Sequence, residues 1–387
     1  MKNYGPIKQL LVFLCSIFFA NELLAQGALT FPPSGDNEKA SVSQWIGLVK
    51  VNVTYNSPDV TGPQGEDRTG KIYGTNVVPY GFAEDAFAGK AIPWRAGANE
   101  NTVFYVSHDV KIEGQDLPAG KYGLHMAPGE DEWTIIFSKN YTSWGSYSYD
   151  EKEDALRVTI KPEKSEFNEY LTFEFTERKP DHATVALKWE NLMVPIKVEV
   201  PNINDLYIAK MRDDLRNSAG FTWQNFRNAA EFCANNEINM EEALTWADLA
   251  INRPYIGQEN FQTLSTKAKV LGKLGKTTDA DKLMAKAVEH PTATILDLHN
   301  YGRGLLGEGK NEKALEIFLL NKKKHPEDQF TPNVGLARCY TAMGEKKKAI
   351  KHWEVALQNI PENQKPNLAY YEGELRKLKE GDSEAGK

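Results

Sequence analysis

Val194-Pro195-Ile196-Lys197-Val198-Glu199-Val200-Pro201 decides how the chain is read. Up to Val200 every second residue is apolar, the period of a half-buried β-strand. After Pro201 the apolar residues recur with a period of 3.6, that of amphipathic helices. A chain of 387 residues is longer than one ordinary hydrophobic core sustains. The switch therefore divides the chain into an all-β domain over residues 26–201 and a helical domain over residues 202–387.

Upstream of the switch the strand pattern repeats. Val49, Val51, Val53 and Tyr55 alternate with Lys50, Asn52 and Thr54. Leu156, Val158 and Ile160, and then Leu171, Phe173 and Phe175, do the same. Further short strands are expected over Thr102–His108, Tyr122–Met126, Thr134–Phe137 and Thr184–Trp189, divided by turn clusters such as Pro128-Gly129-Glu130-Asp131. Strands so spaced, without alternating helices, indicate a sandwich-like fold and exclude a doubly wound α/β sheet. A long Gly-rich passage from Ser57 to Gly81 interrupts them. Its interleaved aromatic and β-branched residues point to an ordered loop, and loops this long in a compact domain are often functional.

Downstream of the switch the chain repeats itself. Ala349 is preceded by Leu336, Ala337, Tyr340 and Gly344 and followed by Trp353, Ala356, Leu357 and Pro361. Ala314 stands among Gly302, Leu305, Gly309, Phe318 and Pro326, and Ala280 among Ala268, Leu271, Gly275, Met284 and Ala287. The three alanines are 34 and 35 residues apart. This pattern resembles the tetratricopeptide repeat, whose period is about 34 residues. The resemblance implies an α-solenoid of about four helical hairpins, the earliest around Ala243, with a capping helix over Asn367–Lys379. Small residues let paired helices approach, and aromatics fill the gaps.

The N-terminus carries its own signal. Lys2 and Lys8 precede an apolar run from Leu10 to Ala20, and Leu23-Leu24-Ala25 ends on a small residue before Gln26. This is the pattern of a signal peptide over residues 1–25, so an exported protein, periplasmic or extracellular, is expected. The apolar run is shorter than the roughly 20 residues of a membrane span, and no later segment qualifies, so no span is expected in the mature chain. Beyond Gln26 only Cys233 and Cys339 remain. A pair so placed makes no disulfide framework and reads as small core residues. From Gln26 to Pro201 there are 17 Lys and Arg against 26 Asp and Glu. An acidic domain of this kind argues against a nucleic-acid partner.

The densest polar chemistry lies in Ile92-Pro93-Trp94-Arg95-Ala96-Gly97-Ala98-Asn99-Glu100-Asn101 and the strand that follows, which ends in His108-Asp109. Arg95, Asn99, Glu100 and His108 are the candidate ligand-binding residues, joined by Asp67 and Arg68 if the Gly-rich loop folds over the same end. Arginine pairs bidentately with carboxylate or phosphate, and histidine exchanges protons near neutral pH. The structural alternative is that Arg95 pairs with Glu100 or Asp67, Asn99 fixes a turn, and Gly97 bends the backbone without a Cβ penalty. A metal site from His108, His125 and Asp109 lacks the tight spacing of metal ligands. There is no Gly-x-Ser-x-Gly elbow, no cysteine in the β-domain and no phosphate loop, so neither metal nor cofactor is expected and no catalytic residue is assigned. Trp133, Trp144, Tyr147 and Tyr149 would stack on sugars or anchor a partner, or else pack into the core.

The region from about Pro33 to Val200 resembles the exported domain-of-unknown-function 2911 family. The resemblance rests on Pro33-Ser34-Gly35-Asp36, Gly65-Glu66-Asp67-Arg68-Thr69-Gly70-Lys71-Ile72-Tyr73-Gly74, Val78-Pro79-Tyr80-Gly81, Pro93-Trp94-Arg95-Ala96-Gly97-Ala98-Asn99-Glu100, Gly120-Lys121-Tyr122-Gly123-Leu124 and Trp133-Thr134-Ile135-Ile136-Phe137-Ser138. It implies a domain boundary and an exported address, and it transfers no activity. The leading expectation is a binding or scaffold protein whose repeats hold a peptide or protein partner. The alternatives are an envelope enzyme with its site at Arg95–Asp109 and a carbohydrate-binding module that uses the Tyr/Trp loop.

Overall fold

The structure is a computed structural model that describes residues 37–380. The leader expected over residues 1–25, Cys15 and the Pro33–Asp36 motif lie outside the described residues. Two compact units follow one another, the first ending at Tyr207 and the second beginning at Ile208.

The first unit is built from β1 (Glu38–Ile46), β2 (Val49–Ser57), β3 (Ala83–Asp85), β4 (Lys90–Ile92), β5 (Thr102–Val106), β6 (Val110–Ile112), β7 (Gln115–Leu117), β8 (Gly120–Ala127), β9 (Trp133–Ser138), β10 (Asp154–Ile160), β11 (Glu163–Arg178) and β12 (His182–Glu199). A six-stranded sheet runs β1-β2-β5-β8-β9-β10, a four-stranded sheet runs β11-β12-β6-β7, and β3 pairs with β4. The alternating residues do what their period demands. Val51, Val53, Phe104, Leu124, Ile135 and Phe137 from the larger sheet share one buried cluster with Leu171, Phe173, Val185, Leu187, Val194 and Val198 from the smaller. That shared cluster is the core of a sandwich.

Two features depart from the sequence reading. β1 was not expected, because it is an edge strand on which only Ile46 is fully buried. Its burial alternates, with Ala40 and Val42 turned to the core, but that inward face also carries the polar Gln44 and the outward face carries Trp45, so the period is faint in the sequence. The expected strands Thr184–Trp189 and Val194–Val200 are one strand, β12, continuous through Glu190 at φ 55°. The β11–β12 register shifts beside the Asn168–Glu190 pair, so the bend is taken up by a bulge. The Gly-rich passage is ordered. Ile72 and Val78 are fully buried in the sandwich core. The Val60 N–H donates to the Glu169 carbonyl at 2.8 Å, the Gly70 N–H donates to the Glu190 carboxylate, and the Tyr73 hydroxyl donates to the Trp189 carbonyl at 3.1 Å.

The second unit is helical. Helix α1 (Ile203–Arg216) contains the division between the units, and α2 (Trp223–Asn236), α3 (Met240–Asn252), α4 (Phe261–Lys273), α5 (Thr277–Glu289), α6 (Ile295–Gly307), α7 (Asn311–Lys324), α8 (Thr331–Ala342), α9 (Lys346–Gln358) and α10 (Leu368–Glu380) follow. α2–α3, α4–α5, α6–α7 and α8–α9 form four hairpins, each with its two helices packed together. Ala314 and Ala349 are fully buried, Trp353 is 1% exposed, and Tyr340 lies against the Ala349 cluster. Ala280 is only half-buried, and Pro361 is exposed in the turn before α10. Gly275, Gly309 and Gly344 each stand after the first helix of a hairpin with φ of 73–75°, the left-handed position that favours glycine at a helix end. Cys233 and Cys339 are buried and unbridged, and burial pushes both thiols up.

Phe318 on α7 shows how the repeat residues act together. A Cβ at Gly335 on α8 would stand 2.3 Å from the Phe318 ring, and one at Gly302 on α6 would stand 2.7 Å from it. Gly335→Ala is therefore expected to destabilise the second unit by about 1–3 kcal/mol through overpacking. Gly373→Ala in α10, where a Cβ meets nothing within 4 Å, is expected to add about 0.5–1 kcal/mol of helix stability. Urea unfolding of both variants checks the pair, and a Gly335→Ala protein as stable as wild type would contradict the packing.

Candidate functional site

The segment after β4 is held at both ends by backbone pairing. The Trp94 N–H donates to the Met126 carbonyl on β8 at 2.9 Å and the Met126 N–H returns the bond at 2.8 Å. The Trp94 ring stacks on Trp189 (6.2 Å, 18°) and stands edge-on to Trp133 (6.4 Å, 83°). Beyond Arg95 the chain turns through left-handed Ala96 (φ 52°) and Asn99 (φ 55°). Gly97 lies within this bend, as expected, but without a left-handed φ. It is needed for close approach, because a Cβ there would stand 2.9 Å from both the Asn56 carbonyl and the Thr102 hydroxyl. The Ala98 N–H donates to the Asn56 carbonyl at 3.1 Å, and the Thr102 hydroxyl donates to the Ala96 carbonyl at 3.0 Å.

Arg95 does not pair with Glu100 or Asp67. Glu100 accepts from the Asn56 side-chain amide at 2.6 Å and lies 4.0 Å from Lys39 Nζ. Asp67 accepts from the Thr69 N–H at 2.9 Å and the Thr69 hydroxyl at 2.6 Å, which holds its carboxyl below the usual range. Arg68 takes Glu66 as its partner, with Nε 3.1 Å from Oε1. Asp67 is thus claimed by a local turn and Glu100 by Asn56 on β2, and neither carboxylate is left for the arginine. Among the described residues no carboxylate oxygen lies within 4 Å of Arg95, whose Nη1 donates to the Asn99 carbonyl at 3.0 Å.

Instead the guanidinium carbon of Arg95 lies 5.2 Å from the ring centroids of both Trp144 and Tyr147. Those two rings are parallel within 7°, with centroids 5.7 Å apart. Gly145, between them in sequence, has φ 63°, and a Cβ on it would stand 2.7 Å from Arg95 Nη1. The Arg95 segment and the Tyr/Trp loop, separate in the sequence, are therefore one site. Asn101, which sequence reasoning did not single out, ties them together. Its side-chain amide donates to the Ser143 hydroxyl at 2.7 Å and the Asn140 carbonyl at 3.2 Å, while its own Oδ1 is buried without a hydrogen bond. Its place at the end of the polar run beside Glu100 was the only sequence signal. Tyr149 and Trp133 are core residues, 6% and 1% exposed, whereas Trp144 is 54% exposed.

Two cavities flank Arg95. One of about 310 Å³ has Asp59, Arg68, Trp94, Asn99 and Trp189 in its wall. The other, of about 300 Å³, has Asn76, Glu84, Asp85, Trp94 and Ser146. Arg68, Arg95 and Asn99 are thus brought together, and Asp67 and Glu100 turn to other partners. His108 is not at this end. It follows β5, whose first residue, Thr102, adjoins Ala96. Six residues of extended chain at about 3.3 Å each place it roughly 20 Å away, with Nδ1 2.9 Å from the Ser107 hydroxyl. His108 and His125 consequently do not meet, and no trio of metal-ligating side chains gathers among the described residues.

Residues 37–198 match the family described as Protein of unknown function (DUF2911). The DUF2911 region thus contains both sheets of the sandwich and every residue of the Arg95 site. No curated protein matches the chain.

In the second unit a cavity of about 610 Å³ lies on α2, α4 and α6, the first helices of three successive hairpins, with α5 at its side. Phe261, Ala268, Met284 and Leu305 contribute apolar wall, and Arg227, Lys269 and Asp281 contribute charge. α6 packs closely on α7 and α8 but approaches α4 and α5 much less; Leu298 shares a buried cluster with Phe261, Leu264 and Val288. The second and third hairpins therefore meet at that cluster and leave a cleft beside it. Solved structures similar to this unit include the nearly identical TPR-like repeats of a Podosopora anserina protein described as a kinesin light chain, at 16% identity and TM-score 0.31 over 42% of this chain and 87% of that one. YrrB, a TPR protein with an unusual peptide-binding site, gives 21% identity and TM-score 0.28 over 41% of this chain and 80% of that one. MamA from Desulfovibrio magneticus RS-1 gives 17% identity and TM-score 0.27 over 43% and 97%. At such scores the likeness has no bearing on function, and the repeat architecture rests on the hairpins themselves.

His125 offers a test of the Arg95 site. It is 1% exposed, its Nδ1 lies 2.8 Å from the Ser146 hydroxyl, and burial followed by the charge of Arg95 pushes its pKa down from 6.5 to about 4. The folded protein keeps it neutral while the unfolded chain binds a proton from about pH 6.5 downward. Stability is therefore complete above that pH and falls as pH drops toward 4, by on the order of 3 kcal/mol from this group. Urea midpoints for wild type and His125→Gln at pH 7.5 and pH 4.5 are expected to show a smaller acid loss in the variant, and equal acid losses would place His125 in a solvated setting.

Proposed function

We propose that this chain is an exported binding protein whose helical repeats hold an extended segment of a partner polypeptide in the cavity on α2, α4 and α6. The observation that carries this reading is the cleft between the second and third hairpins. Apolar Phe261, Met284 and Leu305 and charged Arg227, Lys269 and Asp281 line it together. A peptide offers the same mixture, with apolar side chains for the wall and charges and amides for the rim. The enzymatic reading at Arg95–Asp109 has less support, because the only titratable base proposed for it, His108, stands at the far end of β5.

The export part rests on the basic residues and apolar run of residues 1–25. N-terminal sequencing of the mature protein is expected to begin at or near Gln26, and an intact Met1 in the exported form would defeat it. The peptide part is tested by panning a random-peptide phage library on the full chain and measuring the selected peptides by fluorescence anisotropy. Gly304 lines the cavity, and a Cβ on it meets nothing within 4 Å. Gly304→Trp therefore starts its side chain from an unobstructed Cβ on the cavity wall, and circular dichroism checks that the variant keeps its helices. A loss of about tenfold or more in affinity is expected, and peptides that bind this variant as tightly as wild type would sink the assignment.

A further inference from the structure

We propose that the Arg95–Trp144–Tyr147 surface of the first unit binds an acidic saccharide, its carboxylate on Arg95 and a sugar ring on Trp144. Arg95 carries a charge with no carboxylate within 4 Å among the described residues, and of its five N–H donors one meets the Asn99 carbonyl. A guanidinium so placed has room for a bidentate carboxylate. Among the described residues that position is open, at a point where two cavities meet, since Arg95 and Trp94 line both.

The groups around the arginine specify the rest of the ligand. Trp144 is 54% and Phe87 85% exposed, and Tyr147 joins them, its ring parallel to that of Trp144 and edge-on to that of Phe87 at 5.1 Å. Tyr147 is half-buried between them, so the exposed ring of Trp144 is the flat apolar area offered to the C–H face of a pyranose. The cavity beside it presents Glu84, Ser146 and Asn76, and Asp85, which uses Oδ1 to accept from the Phe87 and Ala88 N–H groups. Acceptors, hydroxyls and amides together around a flat apolar face suit a polyhydroxylated ring. An aromatic acid would have no donors for Glu84 and Asp85 and would bring its own charge toward them. A sugar acid uses both sides. Its carboxylate fits the cavity at Arg95, where Arg68 is held by Glu66 and Asp59 stands in the same wall, while its hydroxyls face the cavity with Glu84 and Ser146. The site lies wholly in the first unit and does not depend on peptide binding by the second.

Titration calorimetry of the full chain with oligogalacturonate and with glucuronate-bearing oligosaccharides tests this, each compared with the same saccharide after reduction of its carboxyl groups to alcohols. At least one acidic saccharide is expected to bind, with its reduced form at least tenfold weaker. Trp144→Ala is expected to remove binding, and its exposure means that the fold, followed by circular dichroism and urea midpoint, stays intact. Arg95→Gln is expected to lower the acidic saccharide's affinity to that of the reduced one. The absence of binding to every acidic saccharide would overturn the proposal, as would equal affinity for acidic and reduced forms or unchanged binding by folded Trp144→Ala.

Discussion

The site in the first unit depends on an arginine whose charge meets aromatic faces where a carboxylate would be expected. A guanidinium over an aromatic face gains about 0.5–1 kcal/mol at exposed sites and about 2 when desolvated. That is enough to order Arg95, whose hydrogen bond among the described residues goes to the Asn99 carbonyl. The geometry requires Gly145, since any side chain there would occupy the space of the guanidinium. It also requires that Glu100 and Asp67 be engaged elsewhere, and each is held by neighbours within 3 Å. The site is therefore kept open by bonds one layer away from it.

Below the arginine the aromatic cluster of Trp94, Trp133, Trp189 and Tyr73 provides a rigid base. It draws on β9, β12, the Gly-rich loop and the segment after β4, so the loops over the sandwich are referenced to both sheets. His125 and Ser146 continue this base beneath the Tyr/Trp loop. A buried imidazole kept neutral contributes hydrogen bonding without a second positive charge beside Arg95.

The helical unit follows a different economy of space. Each hairpin is closed by small residues, with Phe318 between Gly302 and Gly335 as the tightest example. Where the pattern is weakest, at half-buried Ala280, packing between hairpins also loosens and the 610 Å³ cavity opens. The degree of burial of one repeat residue thus marks where the unit has room for a partner. The register of Ala280, Ala314 and Ala349 was legible because helical repeats bury local, periodic contacts. Ala280 looked equal to the others because its neighbours in sequence are equal, and only its neighbours in space are missing.

The period of the long elements other than β1, the change from sheet to helix after Pro201, the repeat spacing and the order of the Gly-rich loop were legible in the sequence, because burial imposes a period on residues near one another in the chain. The sequence also assembled the right segment, with Trp94, Arg95, Asn99 and Asn101 contiguous. The partners of that segment were decided only by the tertiary structure. Arg95 and Trp144 lie far apart in the chain and meet because β5, β8 and β9 are neighbours in one sheet and Asn101 grips the loop at Ser143. His108 looked near because it is near in sequence, yet a strand is straight and carries its two ends apart. Charge pairing was decided the same way: a carboxylate bonds to whatever donor the fold brings within 3 Å, and for Glu100 that donor was Asn56.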